Sequence, residues 1–333
     1  MHILLVGSGA VGTFYASKLP KSTSVEVVCR SNYAAVVAQG GFRIQSPLGN
    51  RLFVPTAIHR SIQEADQKSR EKGTPFDFIL VATKALPDVT DLSKELEPLC
   101  RDCVTIVLIQ NGIGIESPYA ARFPHCCILS AVTAISSAQT EPGLIVHHRW
   151  TRIQLGPFPT TINEDQGRAK AVLLAKLFRE GGIRDAFAHS AKDLQMIRWH
   201  KLAINASFSP SAILSGGLGN AELALDPIGE AHIRACMQEV FDTAVHIFGS
   251  PFPEECASID AILTSTRRNV GSKPSMLMDW ESGLPLEIQV ILGNPIAEAH
   301  RHGIPMPRLE TLYNLLRLQL QSRKQLAASK AKI

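Results

Sequence analysis

The first twelve residues, Met-His-Ile-Leu-Leu-Val-Gly-Ser-Gly-Ala-Val-Gly, constrain this chain more than any other stretch. Ile3, Leu4, Leu5 and Val6 form a short apolar run that reads as a buried strand. Gly7, Gly9 and Gly12 follow in the spacing G-x-G-x-x-G, and a helical pattern over Ala10–Leu19 starts at once. Strand, glycine turn and helix form the context in which this motif denotes a dinucleotide site rather than a turn used only for packing. The first glycine permits the tight turn. The second puts no side chain between the backbone and a pyrophosphate, and the third lets helix pack closely on strand. The helix N-terminus then aims its free N–H groups at the phosphates. Gly7, Ser8, Gly9, Ala10, Val11 and Gly12 are the expected cofactor loop.

Val25–Cys29 reads as the second strand and runs into Arg30-Ser31-Asn32, with no acid nearby. In such units an Asp or Glu near this point takes the ribose 2′-hydroxyl of NAD, whereas an Arg suits a 2′-phosphate. Arg30 therefore points to NADP(H); its alternative is an ordinary surface arginine. Phe76–Thr83, Val104–Ile109 and Cys127–Val132 are further strands. Ligands of doubly wound sheets lie outside the carboxyl ends of the strands, which is where Lys84 and Asn111 fall; Thr133, Ser136 and Ser137 follow the last of these strands. Phe42–Gln45 and Arg51–Val54 alternate around Pro47-Leu48-Gly49-Asn50 as a hairpin, and Leu144–His147 with Arg152–Leu155 reads as a second. Gln63–Thr74 is a solvated loop or an extra helix, and Gln166–Glu180 an amphipathic helix.

From Ser190 the strand-like runs vanish. Ala191–Ala206 is helical, and Ile228–Phe248 has apolar residues at the helical spacing. Glu287–His302 is helical with a kink or break expected at Pro295, and Arg308–Ser322 is the last helix. The expected fold is an α/β Rossmann-type N-terminal domain with a mostly parallel sheet over 1–188, an all-α domain over 189–325 and a basic tail at 326–333. A length of 333 residues accommodates two such domains. The net charge of +4 suits anionic small molecules and, without a clustered patch, does not argue for nucleic acid. No apolar run approaches the roughly 18 residues of a membrane span, and with a strand at the very start no signal peptide is expected. Seven scattered cysteines read as free thiols of a reducing compartment. Cys100 and Cys103 form a C-x-x-C that no second pair completes, so no metal is expected. The expected location is the cytoplasm; Ala331-Lys332-Ile333 is a loose relative of a peroxisomal address and reads more simply as a frayed tail.

Within Arg198-Trp199-His200-Lys201-Leu202-Ala203-Ile204-Asn205, Lys201 and Asn205 share a helix face, and Ser209 extends it if the helix survives Pro210. Lys201 is either a site residue or a lysine reaching past an apolar face to solvent. Ser275, in Pro274-Ser275-Met276-Leu277, and Glu287, in Leu286-Glu287-Ile288, read equally as a helix cap and a first-turn acid.

Taken in order, the glycine loop, Ala82-Thr83-Lys84-Ala85, Gln110-Asn111-Gly112-Ile113-Gly114, His200–Asn205, Pro274–Leu277, and Leu286–Ile288 through Gly293-Asn294-Pro295 and Gly303-Ile304-Pro305 resemble the ketopantoate reductases over nearly the whole chain. The resemblance implies NADPH-dependent reduction of 2-dehydropantoate to pantoate. It implies that Lys201 donates the proton, that Asn205 and Asn220 contact substrate, and that Ser275 holds the substrate carboxylate. Lys84, Asn111 and Glu287 fall on the cofactor side, together with Ser136; Glu287 also suits the orientation of Lys201. The sequence departs from the family on the substrate side. Ser209 replaces a second Asn, an extra residue precedes Asn220, and Leu284 and Leu286 stand where polar residues are frequent. Reduction of a bulkier or more apolar 2-oxo acid is the alternative, and a non-catalytic NADP(H) sensor a more distant one. The expected partner is a small 2-oxo acid, with a homodimer left open and neither nucleic acid nor a membrane expected.

Overall fold

The computed structural model describes residues 1–101 and 104–330, with side chains as far as residue 326. Cys103 and Ala331-Lys332-Ile333 therefore lie outside the described residues. The chain divides into two compact units. One comprises Met1–Ala85, Thr90–Gln110 and Ile115–Leu194; the other comprises Leu86–Val89, Asn111–Gly114 and the chain from Gln195 onward.

The first unit is built on ten strands: β1 (His2–Val6), β2 (Ser24–Val28), β3 (Phe42–Gln45), β4 (Arg51–Phe53), β5 (Ala57–His59), β6 (Phe78–Val81), β7 (Thr105–Leu108), β8 (Cys127–Glu141), β9 (Leu144–Phe158) and β10 (Ala186–Ala188). Strands β5, β2, β1, β6, β7 and β8 lie side by side in that order and are all parallel. This is the doubly wound order, in which the direction of winding reverses between the first and fourth parallel strands, here β1 and β6. Strands covered on both faces need continuous apolar runs. Accordingly Ile3, Leu4, Leu5 and Val6 are all 0% exposed, each side chain worth roughly 1.5–3 kcal/mol of burial. Beyond β8 the sheet becomes mixed: β9 is antiparallel to β8, β3 is parallel to β9, and β4 closes the edge against β3.

One local expectation changes and another is resolved. Leu144–His147 and Arg152–Leu155 are not the arms of one hairpin; both belong to β9, which pairs along its length with β8 around a turn at Pro142-Gly143. The polar stretch between them imitates a turn, but the chain continues through it. Trp150 takes φ +57, and the register slips on both sides of Ser136. Ser136 consequently sits inside β8 opposite Arg149, not in a loop beyond a strand end. Gln63–Thr74 resolves as the helix Ile62–Lys72. Ser61 Oγ accepts the Glu64 N–H at 3.1 Å at its start, and Gly73 ends it at φ +62.

The second unit is helical. Helix Pro227–Phe248 buries Ile233, Cys236, Met237, Val240 and Ala244 at the helical spacing. The helix beginning at Ala191 runs to Leu214, past its expected end at Ala206 and through Pro210. The last helix extends from Pro307 to Lys330, across the start of the expected basic tail. The segment after Glu287 opens as a π-helical turn, Gln289–Gly293, before the α-helix Asn294–Arg301. Asn294 N–H reaches back to Gln289 O. In that register the carbonyl of Val290 would meet residue 295, a proline with no N–H. It accepts instead from Ile113 N–H at 2.8 Å.

Candidate active site

In the first unit the three motif glycines are required for different reasons. Gly7 ends β1 at φ +103, and a Cβ there would lie 2.5 Å from Thr83 N and 2.7 Å from the Ala82 carbonyl carbon. A Cβ on Gly12 would lie 2.5 Å from Gly7 O and 2.7 Å from Ala82 Cβ. These two hold the turn and the helix Ala10–Ala16 against β1 and the exit of β6. Gly9 is different: nothing lies within 4 Å of its Cβ position, so its bare backbone faces open space. That is what close approach of a pyrophosphate needs, and the Ala10–Ala16 helix begins there without a side-chain cap. Ser8 hydrogen-bonds the Cys29 thiol, whose pKa burial pushes up.

Gln110 Nε2 donates to Thr83 O at 3.0 Å, tying the exit of β7 to that of β6. Lys84 follows and is exposed. Arg30 lies just past β2 with its side chain 55% exposed, and its Nη2 is 3.4 Å from Glu95 Oε2. Such a surface pair is worth ~0–1 kcal/mol. The acid within β2, Glu26, is 2% exposed. Burial opposes its ionisation, but hydrogen bonds from His59 Nε2 at 2.6 Å and His2 Nε2 at 3.1 Å prevail and bring its pKa down to about 2.

The uninterrupted helix Ala191–Leu214, which lies in the second unit from Gln195 onward, puts Lys201, Asn205 and Ser209 on one face. Lys201 Nζ donates to Asn111 Oδ1 at 2.9 Å. Burial lowers the Lys201 pKa, Arg198 lowers it further, and Glu287 partly offsets both, leaving it at about 8. Glu287 is 8% exposed and Arg198 3%. The structure thus brings Lys201, Asn111, Glu287 and Arg198 together. Among the described residues, the side chains of Asn205, Ser209 and Ser275 make no hydrogen bond with the protein. Ser275 is exposed as the first residue of helix Ser275–Glu281. Asn220 begins helix Asn220–Leu225; its N–H bonds Ser272 O at 2.9 Å, while its Oδ1 is buried without a partner. Leu286, expected beside the acid, is buried and Leu284 half exposed. No direct contact links Asn220 or Ser275 to Lys201 among the described residues.

Arg198, Gln289, Asn294 and Tyr313 carry no site signal of their own in the sequence. Arg198 Nη1 donates to Gly112 O at 3.1 Å, and Asn294 Nδ2 to Ile113 O at 2.8 Å. Pro295 reads as a helix breaker, but what it releases a carbonyl for is invisible in sequence. Among the described residues no group of three or more His, Cys, Asp or Glu side chains is arranged to hold a metal, and no helix is long and apolar enough to cross a membrane.

A profile of the family described as Ketopantoate reductase PanE/ApbA matches residues 3–160, and its C-terminal counterpart matches residues 193–320. The crystal structure of 2-dehydropantoate 2-reductase from Methylococcus capsulatus superimposes with a TM-score of 0.81 at 36% identity, covering 97% of each chain. An uncharacterized protein of Saccharomyces cerevisiae is 30% identical over 97% of this chain and 95% of its own length. The 2-dehydropantoate 2-reductase of a Nostoc species is 24% identical over 94% of this chain and 93% of its own.

Proposed function

Because the chain belongs to the ketopantoate reductase family, oxidoreductases acting on a C=O/CH–OH pair, we propose that it reduces 2-dehydropantoate to (R)-pantoate with NADPH, a step towards pantothenate and coenzyme A. The observation that carries the reading is Lys201, an ammonium group held on Asn111 Oδ1 at 2.9 Å with its pKa lowered to about 8. NADPH, when bound, supplies the hydride. Its pyrophosphate would rest on Gly7–Gly12, its 2′-phosphate on Arg30, and Lys84 and Ser136 would complete its contacts; the bare backbone at Gly9 fits that assignment.

Addition of hydride to the ketone carbon builds negative charge on oxygen. Lys201 stabilises that charge and transfers its proton to the oxygen, and the neutral amine is then reprotonated from water. A donor with a pKa near the working pH gives up its proton more readily than an ordinary lysine. Glu287 keeps the ammonium populated against burial and Arg198. Asn205, Ser209 and Ser275 offer unengaged polar side chains for the oxo acid, Ser275 to its carboxylate. The partnerless Asn220 Oδ1 is an acceptor suited to a substrate hydroxyl.

A second reading, reduction of a more apolar 2-oxo acid, draws on the buried Leu286 next to Glu287 and on Ser209. Following NADPH oxidation with a panel of 2-oxo acids, branched, aromatic and hydroxylated, tests both. Ketopantoate should give the highest kcat/KM. A preference of tenfold or more for an apolar oxo acid would replace the substrate, and no turnover with any member would remove the reductase reading.

A further inference from the structure

The residues that follow Asn111 are held by groups that do not belong to the reaction. Tyr313 O–H donates to Gln289 Oε1 at 2.8 Å, Gln289 Nε2 donates to Asn294 Oδ1 at 2.9 Å, and Asn294 Nδ2 donates to Ile113 O at 2.8 Å. Every donor points the same way, so each amide fixes the orientation of the next, and bonds in such a chain reinforce one another. The neighbouring Ile113 N–H is taken by the Val290 carbonyl that the π turn and Pro295 release. Arg198 takes Gly112 O. Gly112 itself, at φ +96, is seated so closely that a Cβ would lie 2.5 Å from Val290 Cβ.

Gly293 supplies an independent sign that the chain of amides matters. Its backbone is ordinary right-handed helix, φ −62 and ψ −48, so nothing in its conformation calls for glycine, a residue that weakens helices. A Cβ there would lie 2.7–2.8 Å from three atoms of the Gln289 carboxamide. The missing side chain is the room in which Gln289 turns towards Asn294.

We propose that Tyr313, Gln289 and Asn294, with Gly293 making space for them, form a positioning relay. It clamps the Asn111–Gly114 segment so that Asn111 Oδ1 stays on the ammonium group of Lys201. The catalytic consequence rests on the reductase reading; the clamp itself does not. Asn294→Ala, Gly293→Ala and Tyr313→Phe each break the relay at a different link, and the last removes a single oxygen from a half-buried side chain.

Two measurements on the full-length protein test it. Amide hydrogen exchange at residues 112–114 should quicken by about tenfold or more in Asn294→Ala and Gly293→Ala, and by less in Tyr313→Phe. In turnover of NADPH with the best 2-oxo acid, kcat should fall about 10- to 100-fold in the first two, as small misplacements of reacting groups do. Those losses should largely disappear when the same changes are made on top of Asn111→Ala, because the relay acts through Asn111. Unchanged exchange in all three variants overturns the relay. Losses that simply multiply with that of Asn111→Ala overturn its action on Lys201 and leave it a prop of the fold. If the unmodified enzyme turns over no 2-oxo acid the reductase reading fails, and the exchange rates alone decide the clamp.

Discussion

Lys201 is where opposing influences are easiest to separate. Burial and Arg198 disfavour its charge, Glu287 favours it, and the balance is about 8. Reduction consumes the protonated form. The kcat profile should therefore be level below that pH and fall about tenfold per unit above it. Glu287→Gln removes the favourable influence and should move the break to lower pH; a break that stays in place would disconnect the two residues. Lys201→Met should lower kcat by about 10²–10⁴ while NADPH still binds, measured by cofactor fluorescence. At Arg30 the expectation concerns selectivity. Arg30→Ala should weaken NADPH about tenfold or more and leave NADH nearly unchanged; equal losses would end the 2′-phosphate assignment. Glu26 has the opposite sign to Lys201. Its carboxyl, ordinarily near 4.5, is held at about 2 in the folded protein, so its contribution is complete above 4.5 and is lost as pH falls towards 2. Glu26→Gln should lower the melting temperature by about 5 °C or more at neutral pH, and the gap to the unmodified protein should close as pH drops. A gap that stays constant would show that the charge of Glu26 is not what stabilises.

Among the elements, the glycine loop shows most clearly how one motif combines two needs. Gly7→Ala should destabilise the fold, because its Cβ would meet the backbone of Thr83 at 2.5 Å. Gly9→Ala should melt close to the unmodified protein, because its Cβ meets nothing within 4 Å, yet should weaken NADPH about tenfold. Calorimetry and cofactor titration separate the two; a Gly9→Ala protein with full affinity would take that backbone out of the site. The strand, loop and helix were legible because their chemistry is local: an apolar run, a glycine spacing and a helical period. Ser136 lies inside β8 rather than after it because β8 and β9 continue through a register slip opposite Trp150 at φ +57, and no residue type signals that conformation. The helical period after Glu287 and the disruptive Pro295 are both legible in the sequence. The π turn was not legible, since the partner of the released Val290 carbonyl, Ile113, is remote in sequence. Lys201 and Asn205 were marked by their spacing, whereas Arg198, with equal access to Asn111's segment, looked like one more basic residue.

At the scale of the whole molecule, the parallel strands β5, β2, β1, β6, β7 and β8 follow the doubly wound order, and the helical unit holds Lys201 together with the four residues Asn111–Gly114 that leave β7. The sheet, however, is completed by a strand that arrives late. Phe42 and Ile44 of β3 are almost wholly buried, and β3 gains its inner neighbour only when β9 pairs Arg43 with Leu144 and Gln45 with Val146. A ribosome adds about 5–20 residues per second. The β3–β4 hairpin therefore waits roughly 5–20 s during synthesis with an open edge and uncovered aromatic surface, the condition in which strands join the wrong partner. The delay between emergence of β3 and of β9 is therefore an interval in which the β3 edge stays open to mispairing.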